Sequence, residues 1–169
     1  MDKRYPIGQF SCPIEVQEKD IQLWVKEMTT LPNRLNMLVL SLDELELTKT
    51  YREGSWNVRQ LIHHIVDSHI NGYMRMKLAL TEVNPLVKTY EESEWAKLID
   101  YDLPIKVSLQ LLESLHERWT NLLKNLTATQ LQRTYQYPNG SKMRIEQSIA
   151  LYAWHGNHHL AHIEQALDN

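Results

Sequence analysis

Residues 145–167 read IEQSIALYAWHGNHHLAHIEQAL, a stretch that predicts one long amphipathic helix at the end of the chain. Apolar side chains recur along it at the three- and four-residue spacing of a single helical face. These residues are Ile145, Ile149, Tyr152, Ile163 and Leu167. The same stretch holds four of the eight histidines of the chain. It therefore predicts both a face that packs into a helical core and a candidate metal site.

Three further long helical patterns precede this stretch. The first spans about residues 15–42, the second about residues 57–81, and the third begins after Pro104. Pro32 interrupts the first pattern and should kink or split that helix, because proline lacks a backbone N–H and its ring clashes with the preceding turn. A loop with a short helix near residues 91–98 should follow the second. Four long helices with almost no strand predict an all-α fold, a four-helix bundle.

Two shorter segments complete the predicted fold. The segment TYQYPNGSKMRI, residues 134–145, predicts a small β-hairpin before the last helix, with its Asn-Gly pair as the tight turn. Residues 1–13 predict an extended arm. Because no linker, repeat or low-complexity segment divides the chain, residues 1–169 are expected to form a single domain.

Composition excludes several classes of protein. The formal net charge is −3 and no basic run appears, so nucleic acid is not an expected partner. No stretch approaches the ~20 consecutive apolar residues of a membrane span, and the N-terminus lacks the apolar run of a secretory signal. The single Cys12 cannot form an internal disulfide or a thiolate zinc site. We expect a cytoplasmic protein whose metal, if bound, has nitrogen and oxygen ligands.

Two pairs of histidines in the last helix have the spacing of metal ligands. His155 and His159 are four residues apart, as are His158 and His162, so each pair shares a helical face. On a helical wheel the first pair lies nearer the centre of the apolar face. The second pair lies toward the flank, where it should be exposed, hold the ligands in position or contact another subunit.

The second helix contains three more histidines, and the wheel separates them. His63 points nearly opposite the apolar face and is expected to be solvated. His64 lies at the margin of that face, whereas His69 lies near its middle. From the wheel alone, His69 is slightly favoured as the residue that joins the pair in the last helix.

Longer motifs resemble a known family. They are WNVRQLIHHIVDSHINGYMRMKLAL in the second helix and WHGNHHLAHIEQAL in the last, with the N-terminal YPIGQF. Together these motifs resemble the DinB-like superfamily and, within it, the bacterial YfiT-type metal-dependent hydrolases, relatives of the bacillithiol transferases. The resemblance covers nearly the whole chain.

The resemblance implies a four-helix bundle that holds one divalent metal with three histidines. Carried onto this sequence, the ligands are His64, His155 and His159. The resemblance thus agrees with the wheel in the last helix and prefers His64 to His69 in the second. It also implies a cytoplasmic homodimer. Availability and the resemblance favour zinc as the metal in the cell, with nickel as a common occupant of a purified protein.

Three neutral imidazoles leave coordination positions open, which is the pattern of catalytic rather than structural sites. An open position lets the metal activate water for hydrolysis or a thiol for transfer to an electrophile. Asp67, three residues after His64, is a candidate to orient a ligand imidazole or the activated water.

Three functions follow from this pattern. The first is a metal-dependent hydrolase acting on a small molecule. The second is an S-transferase that uses a low-molecular-weight thiol of the bacillithiol type. The third is not an enzyme but a structural metal-binding bundle with a role in stress response. That third function predicts a site closed by a fourth protein ligand, with His69 or Asp67 as the candidates.

Overall fold

The computed structural model describes residues 2–168, which form a helical bundle with one small hairpin. The long helices are α1 (Glu18–Val39), α3 (Val58–Thr81), α5 (Ile105–Lys124) and α7 (Ile145–Leu167). The short helices are α2 (Glu44–Leu47), α4 (Glu92–Trp95) and α6 (Ala128–Leu131), with a 3₁₀ helix at Ile99–Asp102. None of the helices in this described part is long and apolar enough to cross a membrane.

The four long helices do not follow one another around the bundle. Helix α1 packs against α5 and α7, and α3 packs against the same two helices. Helices α1 and α3 therefore lie on opposite corners, as do α5 and α7. The predicted four-helix bundle is confirmed, and this arrangement places α3 beside α7, the two helices richest in histidine.

The core consists of two hydrophobic clusters at opposite ends of the bundle. One includes Leu35, Leu61, Ile65, Leu112 and Ile163. The other includes Met28, Met76, Trp119, Ile149 and Tyr152. Along α3, α5 and α7 the residues between these clusters include His69, His116, His155 and His159, which we call the histidine layer. Buried polar groups in such a position need hydrogen-bond partners, and the histidines supply most of these to one another.

Helix α3 begins at a reciprocal cap that holds its first turn in place. The Asn57 side chain accepts the backbone N–H of Gln60 at 2.8 Å, and the Gln60 side chain accepts that of Asn57 at 3.1 Å. Its observed bounds agree with the predicted helix over residues 57–81. The bounds of α7 agree with the prediction as well.

Pro32 does not split α1. The helix runs without a break from Glu18 to Val39, so the predicted split is wrong, and the helix is shorter at both ends than predicted. Leu31 and Leu35, on either side of the proline, are 1% and 0% exposed. Packing of this face against α5 and α7 outweighs the one backbone hydrogen bond that proline cannot make.

The hairpin before α7 is present as predicted. Strands β1 (Thr134–Gln136) and β2 (Lys142–Arg144) pair antiparallel, with Tyr135 opposite Met143. The connection between them is wider than a two-residue turn, because Tyr137 donates its N–H to the carbonyl of Ser141 at 2.9 Å. The Asn-Gly pair lies inside it, with Gly140 at a φ of 85°.

The N-terminal arm is folded into turns instead of being fully extended. Tyr5 donates its N–H to the carbonyl of Asp2, and Gly8 donates to that of Tyr5, both at 3.0 Å. The arm packs on α7, where the Trp154 indole donates to the Gly8 carbonyl at 3.3 Å. It therefore covers the face of α7 that carries His158 and His162.

Candidate metal centre

Three imidazole rings meet where α3 packs against α7. His64 comes from α3, and His155 and His159, one turn apart, come from α7. One ring nitrogen of each lies within 4.8 Å of those of the other two. The ring centroids are 4.9 Å apart for His64 and His159, 5.3 Å for His64 and His155, and 4.5 Å for His155 and His159. The structure thus brings together the three histidines that the family resemblance indicated.

The group is buried on one side and accessible on the other. His64 and His159 are 2% and 8% exposed, whereas His155 is only partly buried. His155 also borders a cavity of about 270 Å³. Other side chains that line this cavity include Ser68, Arg75, Tyr90, Glu92, Tyr137 and Tyr152. The cavity therefore gives a small molecule access to the His155 side of the group.

Burial keeps the three rings neutral near pH 7. Desolvation lowers the pKa of His64 to about 4. It also lowers the pKa of His155 and of His159 well below the ordinary histidine value, and repulsion from neighbouring imidazoles lowers both further. Neutral imidazole is the form that binds a metal cation.

The donor set fits a divalent cation. The Nδ1 atom of His64 is buried and has no hydrogen-bond partner among the described residues, which is costly for a polar atom. A cation bound between the three rings would give His64 a partner. Imidazole nitrogens suit zinc, nickel, copper and iron.

His162 holds the ring of His159 in position. Its Nε2 atom lies 3.3 Å from the carbonyl oxygen of Arg4, and its Nδ1 atom lies 3.3 Å from Nδ1 of His159. A carbonyl only accepts hydrogen bonds, so Nε2 of neutral His162 carries the proton and Nδ1 accepts one from His159. Nε2 of His159 is then left with a free lone pair for a cation. Tyr51 stacks on the His162 ring at 3.9 Å.

A second group of ring nitrogens within 4.8 Å of one another contains His158, His159 and His162. It is a weaker metal site, because both nitrogens of His162 already take part in hydrogen bonds. His158 stacks on Trp154 at 4.4 Å. His158 and His162 are 7% and 2% exposed, so the expected exposure of this pair is wrong. The N-terminal arm covers them, and His162 instead positions a member of the first group.

His69 lies beside the group without joining it. Its Nδ1 atom is 2.8 Å from Nε2 of His116, and its Nε2 atom is 3.3 Å from Nδ1 of His155. The residue is 0% exposed, which agrees with its place at the middle of the buried face. Because both of its nitrogens are engaged by other histidines, the geometry favours His64 over His69 as the α3 member of the group.

The group remains open to a further ligand. No fourth histidine, cysteine, aspartate or glutamate anywhere in residues 2–168 joins His64, His155 and His159. Asp67 and His69, the expected fourth ligands of a structural site, both lie outside it. Three protein ligands with an open position are typical of catalytic metal sites, whereas structural sites are closed by four.

Asp67 is engaged by a tyrosine. The Tyr101 hydroxyl donates to Asp67 Oδ2 at 2.7 Å. Burial raises the pKa of Asp67, and the hydrogen bond from Tyr101 offsets part of that rise. Among the described residues, the ring orientation of His155 and His159 comes from His69 and His162, not from Asp67. Orientation of the His64 imidazole or of activated water by Asp67 stays a prediction.

His63 is buried, so the expectation that it is solvated is wrong. It is 5% exposed. Its Nδ1 atom lies 2.7 Å from the Ser108 hydroxyl, and its Nε2 atom lies 3.1 Å from the Leu103 carbonyl. The 3₁₀ helix and the start of α5 cover this face of α3, and a helical wheel contains no information about such a cover.

Sequence reasoning missed the part that His116 plays in the histidine layer. His116 is 1% exposed and is hydrogen-bonded to His69. The available signal was its place on the apolar face of α5, one residue after Leu115 and three before Trp119. A lone histidine inside a hydrophobic stripe needs a buried partner, and that partner lies on another helix.

The bundle and its three-imidazole group define a class of helical proteins with a candidate mononuclear metal centre. Residues 27–163 match the DinB superfamily. The chain therefore belongs to the DinB superfamily.

Curated relatives match the chain over nearly its whole length. A protein of Halalkalibacterium halodurans named "Putative metal-dependent hydrolase" is 87% identical over 167 residues, which is 99% of this chain and 98% of that protein. A protein of Oceanobacillus iheyensis with the same designation is 48% identical over 163 residues, which is 96% of this chain and 95% of that one.

Two solved structures share the fold. YfiT from Bacillus subtilis, reported as "a probable metal-dependent hydrolase with an unusual four-helix bundle topology", is 36% identical with a TM-score of 0.95, over 98% of this chain and 96% of that one. A mycothiol-dependent maleylpyruvate isomerase is 15% identical with a TM-score of 0.66, over 84% of this chain and 60% of that one. The second likeness concerns the fold alone.

Proposed function

We propose that this protein is a hydrolase whose single divalent metal is bound by His64, His155 and His159. The observation that carries the proposal is the open group of three neutral imidazoles beside a cavity. The designation of the relatives as metal-dependent hydrolases supports the same class. When bound at such a site, a divalent metal lowers the pKa of water and polarises an oxygen of the substrate.

Tyr152 is suited to stabilise negative charge on a substrate oxygen. It lines the same cavity as His155, and burial raises the pKa of its hydroxyl to about 12, so the group stays protonated. Arg75 donates to the Tyr152 hydroxyl oxygen at 3.3 Å, which leaves the hydroxyl proton for another acceptor. We assign Tyr152 as a donor to the oxygen that gains charge during hydrolysis.

Asp67 is the proposed proton acceptor. It follows His64 by three residues and therefore lies about one helical turn away on α3. Its pKa is raised by burial, which brings a carboxylate closer to the range useful in general base catalysis. Tyr101 holds the carboxylate in place through its hydroxyl.

Thiol transfer is the alternative reaction at the same centre. A divalent metal held by the three neutral imidazoles would have an open position that could take a thiol in place of water, and it would lower the thiol pKa in the same way. The ligand set therefore supports both reactions, and the distinction is experimental. A purely structural role for the metal is less well supported, because the group lacks a fourth ligand within the described part of the chain.

Zinc is the metal we propose for the protein in the cell, with nickel as an occupant acquired during purification. A homodimer in the cytoplasm and a small-molecule substrate, which the family resemblance implies, are further proposals. A metal-chelate column would introduce nickel, so the protein should be purified without one before its metal is identified.

Metal content tests the proposed site. Elemental analysis should find about one metal per subunit in the wild-type protein. His64→Ala and His159→Ala should lose most of it. His63→Ala is the matched control, because His63 is a buried α3 histidine bonded to Ser108 and Leu103. Full metal content in both ligand variants would show that the metal, if any, binds elsewhere.

Turnover assays separate the two reactions. Zinc-loaded protein is offered a panel of esters, amides and phosphate esters without thiol, and separately monochlorobimane with a low-molecular-weight thiol. The hydrolase proposal predicts metal-dependent turnover in the first assay, which His64→Ala abolishes. Metal-dependent loss of thiol and bimane together, with no hydrolysis across the panel, would establish the transferase instead.

A further inference from the structure

A proline in α1 leaves a buried carbonyl without its helical donor. In an α-helix the carbonyl of Met28 would accept the N–H of the residue four positions later, but that residue is Pro32, which has none. Met28 is 0% exposed, so water does not replace the missing donor. The donor is supplied instead by His116 of α5, whose Nδ1 atom lies 2.6 Å from the Met28 oxygen.

From this carbonyl the hydrogen bonds run through the histidine layer to the candidate centre. His116 Nε2 lies 2.8 Å from His69 Nδ1, and His69 Nε2 lies 3.3 Å from His155 Nδ1. The three histidines come from α5, α3 and α7 in turn. In His116 and in His69 both ring nitrogens take part in hydrogen bonds, so neither residue has a free lone pair for a cation.

The direction of every hydrogen bond in this series follows from the Met28 carbonyl, the first acceptor. The Met28 carbonyl can only accept, so Nδ1 of His116 carries the proton and Nε2 is an acceptor. Nδ1 of His69 must then be the donor and Nε2 the acceptor. By the same reasoning Nδ1 of His155 is protonated, and Nε2 of His155 is left with a free lone pair.

This order of donors and acceptors exists only if the rings of His116 and His69 are neutral. The surroundings of both rings favour the neutral form. His69 and His116 are 0% and 1% exposed, and within residues 2–168 no carboxylate is among their hydrogen-bond partners. Burial lowers the pKa of His116 to about 4, so the ring bonded to the Met28 carbonyl is neutral near pH 7. A neutral imidazole has one N–H, so the pattern has only one consistent assignment.

We propose that His116 and His69 are positioning residues that fix His155 as the Nδ1–H tautomer and present its Nε2 atom to the metal. The Met28 carbonyl, which has no helical donor because Pro32 lacks an N–H, is the first acceptor in this series of hydrogen bonds. The inference rests on the proposed function, in which His155 is a metal ligand. Partners of this kind typically change metal affinity by about 10- to 100-fold when removed.

Spectroscopy tests the tautomers directly. Long-range proton–nitrogen correlation spectra of the metal-free protein, with labelled histidine side chains, should show the Nδ1–H tautomer for His116, His69 and His155. Assignments come from the spectra of the single variants. The Nε2–H tautomer at His155 would overturn the proposal. Because no metal is present, this result does not depend on the proposed function.

Zinc affinity tests the positioning role. His69→Leu removes the acceptor for His155 and should weaken zinc binding by about 10- to 100-fold. His69→Gln places an amide oxygen near the original Nε2 atom and should recover most of the affinity, which a merely space-filling role would not predict. His63→Leu, the same change at another buried α3 histidine, should bind zinc like the wild type.

Three results would have distinct meanings. Wild-type affinity in His69→Leu would overturn the positioning role while leaving the metal site intact. Equal losses in His69→Leu and His63→Leu would overturn it too, because both would then reflect general damage to α3. Failure of wild-type protein to bind zinc would overturn the proposed function, and the tautomers would still be judged from the spectra.

Discussion

The ring of Tyr152 occupies the space that a side chain at Gly72 would take: a Cβ atom at position 72 would lie 2.3 Å from Cζ of Tyr152. Gly72 is on α3 and Tyr152 is on α7, three residues before His155. This contact therefore helps to set how closely α3 and α7, which carry the three histidines, pack against each other. It also sets the position of a hydroxyl that lines the cavity beside His155.

We expect Gly72→Ala to destabilise the protein. The Tyr152 ring is 3% exposed and its hydroxyl is bonded to Arg75, so it cannot move away without disturbing the core. Overpacking of this kind lowers the free energy of unfolding by about 1–3 kcal/mol, against ~1 kcal/mol gained from the better helix propensity of alanine. Urea unfolding followed by circular dichroism measures the change.

Gly156→Ala is the matched control for this overpacking. Its Cβ would lie 2.6 Å from Cδ2 of Leu31, which is the end of a flexible side chain. We expect a smaller loss of stability than in Gly72→Ala, because a leucine methyl can rotate away. Equal stability of Gly72→Ala and the wild type would show that the two helices adjust freely at this contact.

The metal-free protein should lose stability as the pH falls from about 6.5 to about 4. His64 and His116 have a pKa of about 4 in the folded chain, against 6.5 as the ordinary value. Between these limits the unfolded chain binds protons that the native chain does not, so the stability is fully present above the window and decreases within it. Each such histidine contributes a slope of about 1.4 kcal/mol per pH unit.

Urea unfolding at a series of pH values across this window measures the slope. His116→Gln removes one of the buried titrating groups and should give a shallower dependence than the wild type. A free energy of unfolding that is constant across the window in the wild type would contradict neutral burial of these rings.

Tyr152→Phe should slow hydrolysis without removing the metal. If the Tyr152 hydroxyl donates to the oxygen that gains charge, its loss should lower kcat by about 100-fold for a substrate identified in the screen. Tyr137→Phe is the control, because Tyr137 lines the same cavity. The assignment fails if the two variants have the same kcat, or if Tyr152→Phe has lost its zinc.

His162→Leu should weaken zinc binding by about 10- to 100-fold, because His159 would lose the partner that orients its ring. Deletion of residues 2–10 should have a similar effect, since Arg4 anchors His162. The comparison is His158→Leu, which changes another buried neighbour that has no hydrogen bond to His159. A competition titration with a zinc chelator gives the affinities. Similar losses in His158→Leu and His162→Leu would argue against the orienting role.

Much of the candidate site could be predicted from local patterns. Helical periodicity predicted α3 and α7 within a residue, and the spacing of His155 and His159 predicted that they share a face. These features depend on residues three or four apart, whose relative positions the helix geometry determines. The preference for His64 over His69 came from the family resemblance, because the helical wheel slightly favoured His69.

The remaining features depend on which helices are neighbours. His63 is buried because the segment leading into α5 covers it, and His69 is occupied because α5 brings His116 against it. Pro32 looked like a helix break, but burial of the surrounding leucines maintains α1 and leaves its carbonyl to a histidine from another helix.

The sequence by itself therefore determined the helices, the hairpin and the facing pair on α7, because short-range periodicity encodes them. Only the tertiary structure decided which ring nitrogens are free and which are engaged. That distinction depends on hydrogen bonds between residues 47 and 88 positions apart, His69 with His116 and His116 with Met28, which form only when the bundle is assembled.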